Sequence, residues 1–327
     1  MKDFCILGSG VSGSTIARLL SKKYTIQLFE KAKGVGGRAS NRRFKKDLSF
    51  DHGTQYISPK NNSFKNFVSL LIKKKILKAW KGQHINHELK QNKNANKYIG
   101  KKGNSDISKY LLKKIDVRLS KKIKNIKFNS KFWTITSEDN SKINFRYLIL
   151  TCPYPQVKLL ARNYIDKKML NLKVKMEPNL TVMAVYKGYK NNSISSFKFN
   201  DDILGWAANE NSKLRFKSKY LLWTIQSNNK WAKKYINKYK QNKKDVTFKL
   251  INRFSELTGF NNQNIIFSTI HGWKYSFNYK KTTLKSYWST KYNIGICGDW
   301  FLGPKIEHAW LSANDLFKKI KKNPLKK

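Results

Sequence analysis

The chain has 327 residues, 40% hydrophobic and 13% aromatic, enough apolar side chain for a core of one or two domains, which excludes an intrinsically disordered protein. Lys and Arg number 68 against 19 Asp and Glu, a net charge of +49 that invites nucleic acid or a membrane surface as partner. The excess is nearly all lysine, in the company of abundant Asn and Ile, whereas a surface that forks onto phosphates and guanines enriches arginine. The charge therefore reads as the compositional bias of an AT-rich genome. Its expected consequence is a solvated lysine shell, a weak, salt-screened attraction to polyanions, and no specific nucleic-acid partner.

Met1-Lys2-Asp3 runs straight into Phe4-Cys5-Ile6-Leu7, too short an apolar stretch for a secretory signal, and no run of about 18 apolar residues occurs anywhere. Cys5, Cys152 and Cys297 are odd in number and each sits in an apolar run, so they read as buried free thiols. No Cys/His spacing suggests a metal. The expectation is a soluble cytoplasmic protein.

In chain order, strand Phe4 to Leu7 meets Gly8-Ser9-Gly10-Val11-Ser12-Gly13, a helix follows, and strand Thr25 to Phe29 ends at Glu30, 20 residues beyond the middle glycine. A lone GxGxxG is weak evidence, but here strand, helix and acid stand where a dinucleotide requires them. Gly8 permits the tight turn, Gly10 lets backbone amides approach a pyrophosphate, and Gly13 allows close helix-on-strand packing. The helix N-terminus with Val11 and Ser12 faces the phosphate charge, and Glu30, with Lys31 beside it, would accept from ribose hydroxyls.

Further on, 105–115 reads as a helix, Val117 to Leu119 as a strand, and 131–136 with 145–151 as a strand pair around Glu138-Asp139-Asn140-Ser141. Leu180 to Tyr186, Leu204 to Ala208, Tyr220 to Gln226 and Ile265 to Gly272 are strand-like runs of β-branched and aromatic residues. Asp245 is a plausible N-cap for a helix that ends before Gly259. A last helix covers 308–320, and Lys318 to Lys327 reads as a frayed basic tail.

After Glu30 come Lys33-Gly34-Val35-Gly36-Gly37-Arg38-Ala39-Ser40 and Phe50-Asp51-His52-Gly53-Thr54-Gln55-Tyr56. Here the sequence resembles the FAD-containing amine-oxidase superfamily, and the Asp-His-Gly-x-Gln-Tyr element is similar to its renalase-like branch. Thr151-Cys152-Pro153-Tyr154-Pro155-Gln156, His271-Gly272-Trp273-Lys274-Tyr275-Ser276, and Gly298-Asp299 followed by Glu307-His308-Ala309-Trp310-Leu311-Ser312 extend the resemblance over most of the chain. The sequence departs from the pattern at Asn104, Gly272, His308 and Ala313. The last two are expected where a helix N-terminus approaches the flavin.

The resemblance implies an α/β, two-domain FAD-binding Rossmann-type fold like p-hydroxybenzoate hydroxylase, with an antiparallel-sheet substrate domain. Residues 1–58, 100–157 and 290–327 would form the discontinuous FAD-binding domain, and 59–99 with 158–289 the substrate domain. It also implies non-covalent FAD. Expected FAD contacts, besides those above, are Gly36, Gly37 and Arg38, then Gly53, Thr54, Gln55 and Tyr56 along the ring, Val117 at the adenine, and Gly298, Asp299, Glu307 and Ala309 in the closing motif.

No catalytic triad or GxSxG is present, and none is needed, because flavin chemistry resides in the cofactor. Catalytic residues stay open, with His271, Trp273, Gln55 and Tyr56 as candidates. Trp206, Trp223 and Tyr275 would complete an aromatic substrate cage or else lie in the sheet core. His52 reads equally as a structural histidine held by Asp51. His84 and His87 read as bystanders in a polar loop. The implied activity is an oxidase that moves a hydride from a small-molecule dihydronicotinamide isomer or amine to FAD, with dioxygen as acceptor. Oxidation of a polyene or porphyrin substrate, or a silent FAD-binding protein, are the alternatives.

Overall fold

A computed structural model describes residues 1–45, 47–86, 90, 96–188 and 193–323. Strand Lys2–Leu7, helix Val11–Leu20 and strand Ile26–Phe29 form the opening crossover unit. The two strands lie parallel, with Phe4 opposite Ile26 and Leu7 opposite Phe29. They belong to an eight-stranded sheet whose main order is Tyr287–Ser289, Ile294–Ile296, Lys142–Leu150, Lys2–Leu7, Ile26–Phe29, Asp116–Arg118. Trp133–Ser137 pairs antiparallel with Lys142–Leu150, and Ile123–Phe128 pairs antiparallel with Trp133–Ser137. The mixed parallel and antiparallel sheet is the one the sequence implies.

Both faces of this sheet are covered, which is why its central strands read as unbroken apolar runs. Phe4, Ile6, Leu28 and Ile149 pack with Ile16 and Leu20 of the first helix and Leu316 of helix Ile306–Lys322. Cys5, Leu7, Phe29 and Leu148 pack on the other face with Trp133, Val157 and Trp300.

A second sheet of six strands runs Ile265–Phe277, Glu177–Tyr186, Leu221–Ser227, Leu204–Asn209, Ile194–Lys198, Gln83–Ile85. It is antiparallel except at the last pair. Leu180, Val182, Ala184, Trp223 and Ile225 pack against Val246, Leu250 and Phe254 of helix Lys243–Thr258. Period-two alternation turns Thr181, Met183, Thr224 and Gln226 to the opposite face, toward the large sheet. Helix Asn62–Lys73 and strand Tyr287–Ser289, both inside stretches assigned above to a substrate domain, sit with the large sheet. The helix shares a core with Val11, Ile107 and Ile306, and the strand pairs with Ile294–Ile296.

Several local expectations change. The helix expected over 105–115 is Asp106–Leu111, because the chain turns at Lys114 with φ 69°. Asp245 lies in the first turn of its helix rather than at the cap, which is Asn242; Gly259 ends the helix at φ 76°. The last helix runs to Lys322 because Ile320 is buried in the core, so 318–322 are not frayed; Pro324 to Lys327 lie outside the described residues. His84 is in strand Gln83–Ile85, buried, with Nδ1 2.7 Å from Ser196 Oγ, and not in a polar loop. His87 lies outside the described residues. Among the described residues no helix is long and apolar enough to cross a membrane.

The contact between first helix and first strand admits no side chain: a Cβ on Gly13 would stand 2.0 Å from the Gly8 carbonyl oxygen. Gly13→Ala is therefore expected to lower the unfolding free energy by about 1–3 kcal/mol, the usual cost of overpacking, or more, since the obstacle is backbone. Urea denaturation checks this, and an unchanged midpoint would refute the packing role.

Candidate active site

Three glycine turns converge at the C-terminal end of strand Lys2–Leu7. Gly8 takes φ 107°, a region open to glycine, and its amide donates to Phe29 O. Gly36 and Gly37, at φ 117° and 54°, form the second turn, where Gly36 donates to Ser9 O at 3.1 Å. Gly53 brings in the third: a Cβ there would meet Arg38 O at 2.1 Å, and the next amide, Thr54, donates to that same oxygen at 2.8 Å.

Gly10 differs from these. Its φ of −63° suits any residue, and a Cβ would find nothing nearer than 3.9 Å. The glycine leaves open space at the start of helix Val11–Leu20, which no side chain caps, and the free first-turn amides face that space. A cradle that a Cβ would fill, at the positive end of a helix, fits a pyrophosphate. Ser12 Oγ donates to Ala309 O at 3.1 Å, so the starts of the first and last helices meet here.

The other residues expected at the cofactor have the following surroundings. Glu30 accepts from Ser9 N at 2.9 Å, Ser9 Oγ at 2.7 Å and Ala32 N at 2.9 Å, so its carboxylate also braces the turn. Arg38 pairs with Asp299 and donates to Ser276 O at 2.9 Å. Val117 lies on the sheet's edge strand; Arg118 O accepts from Glu30 N, so alternation turns the amide and carbonyl of Val117 outward. Lys31 is exposed. Glu307 turns its carboxylate away, to the amides of Lys60 and Asn61, and so braces the start of helix Asn62–Lys73. Of the two departures in the closing motif, His308 lies in the first turn of its helix. Ala313 is fully buried in the core beside Ile16 and Ala17, away from the helix start where it was expected.

The turn 51–56 is held by a cluster that sequence reading missed. Lys213 Nζ, fully buried, lies 3.0 Å from Asp51 Oδ2, 2.9 Å from Glu210 Oε2 and 3.0 Å from Gln55 Oε1. Arg215 pairs with Asp51 and donates through Nε to Gly100 O at 3.0 Å. Asn104 donates its amide to Asp51 Oδ1 at 3.0 Å and its side chain to Thr54 O at 2.7 Å. Burial alone would raise the Asp51 carboxyl, but Arg215, Lys213 and the Asn104 amide hold it below the usual carboxylate range. Burial holds Glu210 above its usual value against the pull of Lys213. Two expectations are corrected by this cluster. Asp51 faces Lys213 and Arg215 rather than His52, whose Nδ1 has no hydrogen-bond partner among the described residues. Gln55 spends its side chain on Lys213, Asp51 O and Gly53 O, which draws it off a substrate.

Against this turn lies the open face of the six-stranded sheet. Gln226 Nε2 donates to Gly53 O at 2.8 Å, and Trp273 Nε1 to His52 O at 2.9 Å. His52, His271 and Trp273 form one aromatic group, with centroids 4.9 Å, 5.1 Å and 4.4 Å apart. Burial, reinforced by His271 and Arg42, lowers His52 to about 3, and burial with Arg42 lowers His271 to about 4. Both are neutral near pH 7. Trp206 is on this face, 5.6 Å from Tyr56, and lines a 260 Å³ cavity with Asn179, Gln226 and Phe277. Trp223 points to the helix side and is core, so it leaves the expected cage. Tyr275 is half-buried further along the strand Ile265–Phe277. A Cβ on Gly272 would strike the Tyr239 ring at 2.5 Å, so that departure answers a local packing need.

Three outcomes follow. Gly10→Val should fold with the melting temperature of the FAD-stripped parent and purify without FAD; stoichiometric FAD would show the cradle misread. Lys213→Ala leaves two buried carboxylates to share Arg215 and should cost about 3–5 kcal/mol in urea denaturation, a loss under 1 kcal/mol counting against the cluster. Unfolded histidines take up protons near pH 6.5, whereas His52 and His271 resist until about 3 and 4. Stability should thus fall as pH drops from 6.5 toward 4, and a His52→Asn/His271→Gln double variant should make that slope shallower, with buried His84, lowered to about 4, keeping part of it.

Comparison with known proteins agrees with this geometry. Residues 6–71 match the NAD(P)-binding Rossmann-like domain, and residues 80–195 match the flavin containing amine oxidoreductase family. Mouse renalase (Mus musculus) is 28% identical over 177 residues, which span 51% of this chain and 51% of that protein, so the match covers about half the length of that curated relative. A structure assigned as a protoporphyrinogen oxidase from Exiguobacterium sp. 255-15 superposes with a TM-score of 0.75 at 11% identity, covering 99% of each chain. Putrescine oxidase bound to putrescine superposes with a TM-score of 0.70 at 10% identity, covering 98% of this chain and 99% of that one. Family matches, relative and fold agree with the glycine cradle: over residues 6–71 the chain is similar to NAD(P)-binding Rossmann-like domains and over residues 80–195 to the flavin containing amine oxidoreductases.

Proposed function

We propose that the chain oxidises a small planar donor, with the eight-stranded sheet holding FAD and the open face of the six-stranded sheet holding the substrate. The observation that carries this reading is the seam between them: Gln226 and Trp273 of the second sheet bond the backbone of Gly53 and His52 in the cofactor-side turn. A molecule in the adjoining cavity, which Gln226 and Trp206 line, would lie beside that turn.

Bound FAD would supply the two-electron acceptor for a hydride, with dioxygen taking the electrons on to peroxide. The chain's own residues position the donor and keep water out. Neutral His52 and His271 offer hydrogen-bonding nitrogens without charge, and Trp273 stacks on His52. A dihydronicotinamide isomer is the preferred donor, since hydride departure from it needs no general base. FAD is held without a covalent link, in keeping with Cys297 being sealed in the core among Phe4 and Ile6. The lysine shell is read as solvated, with only weak attraction to polyanions.

A porphyrinogen or polyene donor is the second reading. A 580 Å³ cavity that shares Tyr279 with the first would give a larger molecule room. Anaerobic mixing with dihydronicotinamide isomers, amines and porphyrinogens, followed by flavin bleaching near 450 nm, separates these readings. Bleaching by the dihydronicotinamides, with peroxide on readmitting oxygen, is the expected outcome. Bleaching by porphyrinogens alone supports the second reading, and no bleaching by any donor points to a silent FAD-binding protein.

A further inference from the structure

Lys97, just before strand Tyr98–Gly100, is 4% exposed, yet its Nζ has no hydrogen-bond acceptor among the described residues. A buried ammonium without an acceptor is costly, so its presence calls for a reason. What Nζ does face is the ring of Tyr56, 5.5 Å from the centroid. Trp206 stands against the same ring at 5.6 Å, and its indole N–H is likewise buried without an acceptor among the described residues. Trp80 is a third neighbour of Tyr56, at 6.3 Å.

The acids nearby are already spent. Asp51 and Glu210 are both drawn to Lys213, and Asp51 also to Arg215, so neither is a counter-ion for Lys97. Two donors without acceptors, one of them charged, therefore flank one aromatic ring in the turn between cofactor sheet and substrate sheet. Trp206 is also a wall of the 260 Å³ cavity. Burial lowers the Lys97 ammonium below the usual lysine value, and an anion beside it would restore it.

We propose that Lys97 and Trp206 determine substrate specificity by receiving a carboxylate or carbonyl oxygen of a planar conjugated molecule whose ring lies along Tyr56. The proposal rests on the oxidoreductase reading above and sharpens it by substrate class. An alkylammonium is disfavoured by the same geometry, because it would bring a second positive charge into a site with no free acid among the described residues. A conjugated ring carrying an acceptor oxygen satisfies both donors and stacks on the aromatic group.

The Lys97→Met variant separates this role from a structural one. Methionine keeps most of the stem's volume and removes an uncompensated charge, so the variant should melt at a higher temperature while losing ligand. The test is isothermal titration calorimetry of the purified holoprotein with benzoate, benzamide and benzylamine as probes, with FAD content read from absorbance. Benzoate should bind more tightly than benzylamine. Lys97→Met should weaken benzoate at least tenfold with FAD content unchanged, Lys97→Arg should retain part of the affinity, and Trp206→Phe should weaken benzoate and benzamide severalfold.

No benzoate binding to the parent protein, benzylamine bound as tightly as benzoate, or unchanged benzoate affinity in Lys97→Met would each overturn the proposal. So would Lys97→Met losing FAD while keeping benzoate, which would make the lysine a flavin ligand. FAD content tests the parent reading separately: a protein purified without FAD that binds benzoate through Lys97 would refute that reading and support this one.

Discussion

The two sheets meet at residues 51–56, and a fully buried group of charges holds them there. Asp51 and Glu210 face Lys213 and Arg215 with no solvent access, and Gln55, Asn104 and Thr224 supply the remaining hydrogen bonds. In a low-dielectric interior such a group is tolerable only when each charge is matched and each polar atom has a partner. Asp51 comes from the cofactor side and Glu210, Lys213 and Arg215 from the hairpin between Leu204–Asn209 and Leu221–Ser227. The interface geometry depends on their register.

Around this lock the site divides into a side that avoids side chains and a side that presents them. On the cofactor side glycine brings backbone against backbone at Gly13 and Gly53, Gly8 lies against the Thr151 hydroxyl, and Gly10 leaves room for a ligand. On the substrate side alternation along each strand presents Gln226, His271 and Trp273 to the turn while Trp223 and Ile225 fill the core behind. The imidazoles are desolvated and neutral, so the only ammonium without an acceptor among the described residues facing Tyr56 is Lys97.

Arginine scarcity takes on meaning in this light. In a chain whose positive charge is mostly lysine, Arg38, Arg215 and Arg253 each face a carboxylate, Asp299, Asp51 and Asp201. Two of these pairs hold the active-site turns. A planar fork fixes orientation in a way that a rotating ammonium does not, which gives a reason for arginine to persist at these positions against the compositional drift.

Local pattern was enough for the sequence to declare the crossover unit, the glycine cradle, the closing helix and the main strands of both sheets, while the Gly36-Gly37-Arg38 turn came from the family resemblance. Those features depend on neighbours within a few residues: glycine where φ is positive, apolar runs where a strand is covered on both faces, Glu30 at its fixed offset. What stayed hidden depends on residues far apart in the chain. Lys213 lies in a lysine- and asparagine-rich stretch that reads as solvated loop, and only folding brings it 3.0 Å from Asp51, 162 residues away. Trp206 and Trp223 look alike as strand tryptophans; the register of their strands sends one to the cavity and the other to the core. His84 reads as a bystander in a polar loop and is buried, because the pairing of Gln83–Ile85 with Ile194–Lys198 sets it against Trp80 and Ser196. Short-range sterics and hydrophobic period can be read along the chain, but desolvation and charge pairing exist only once distant segments share one interior.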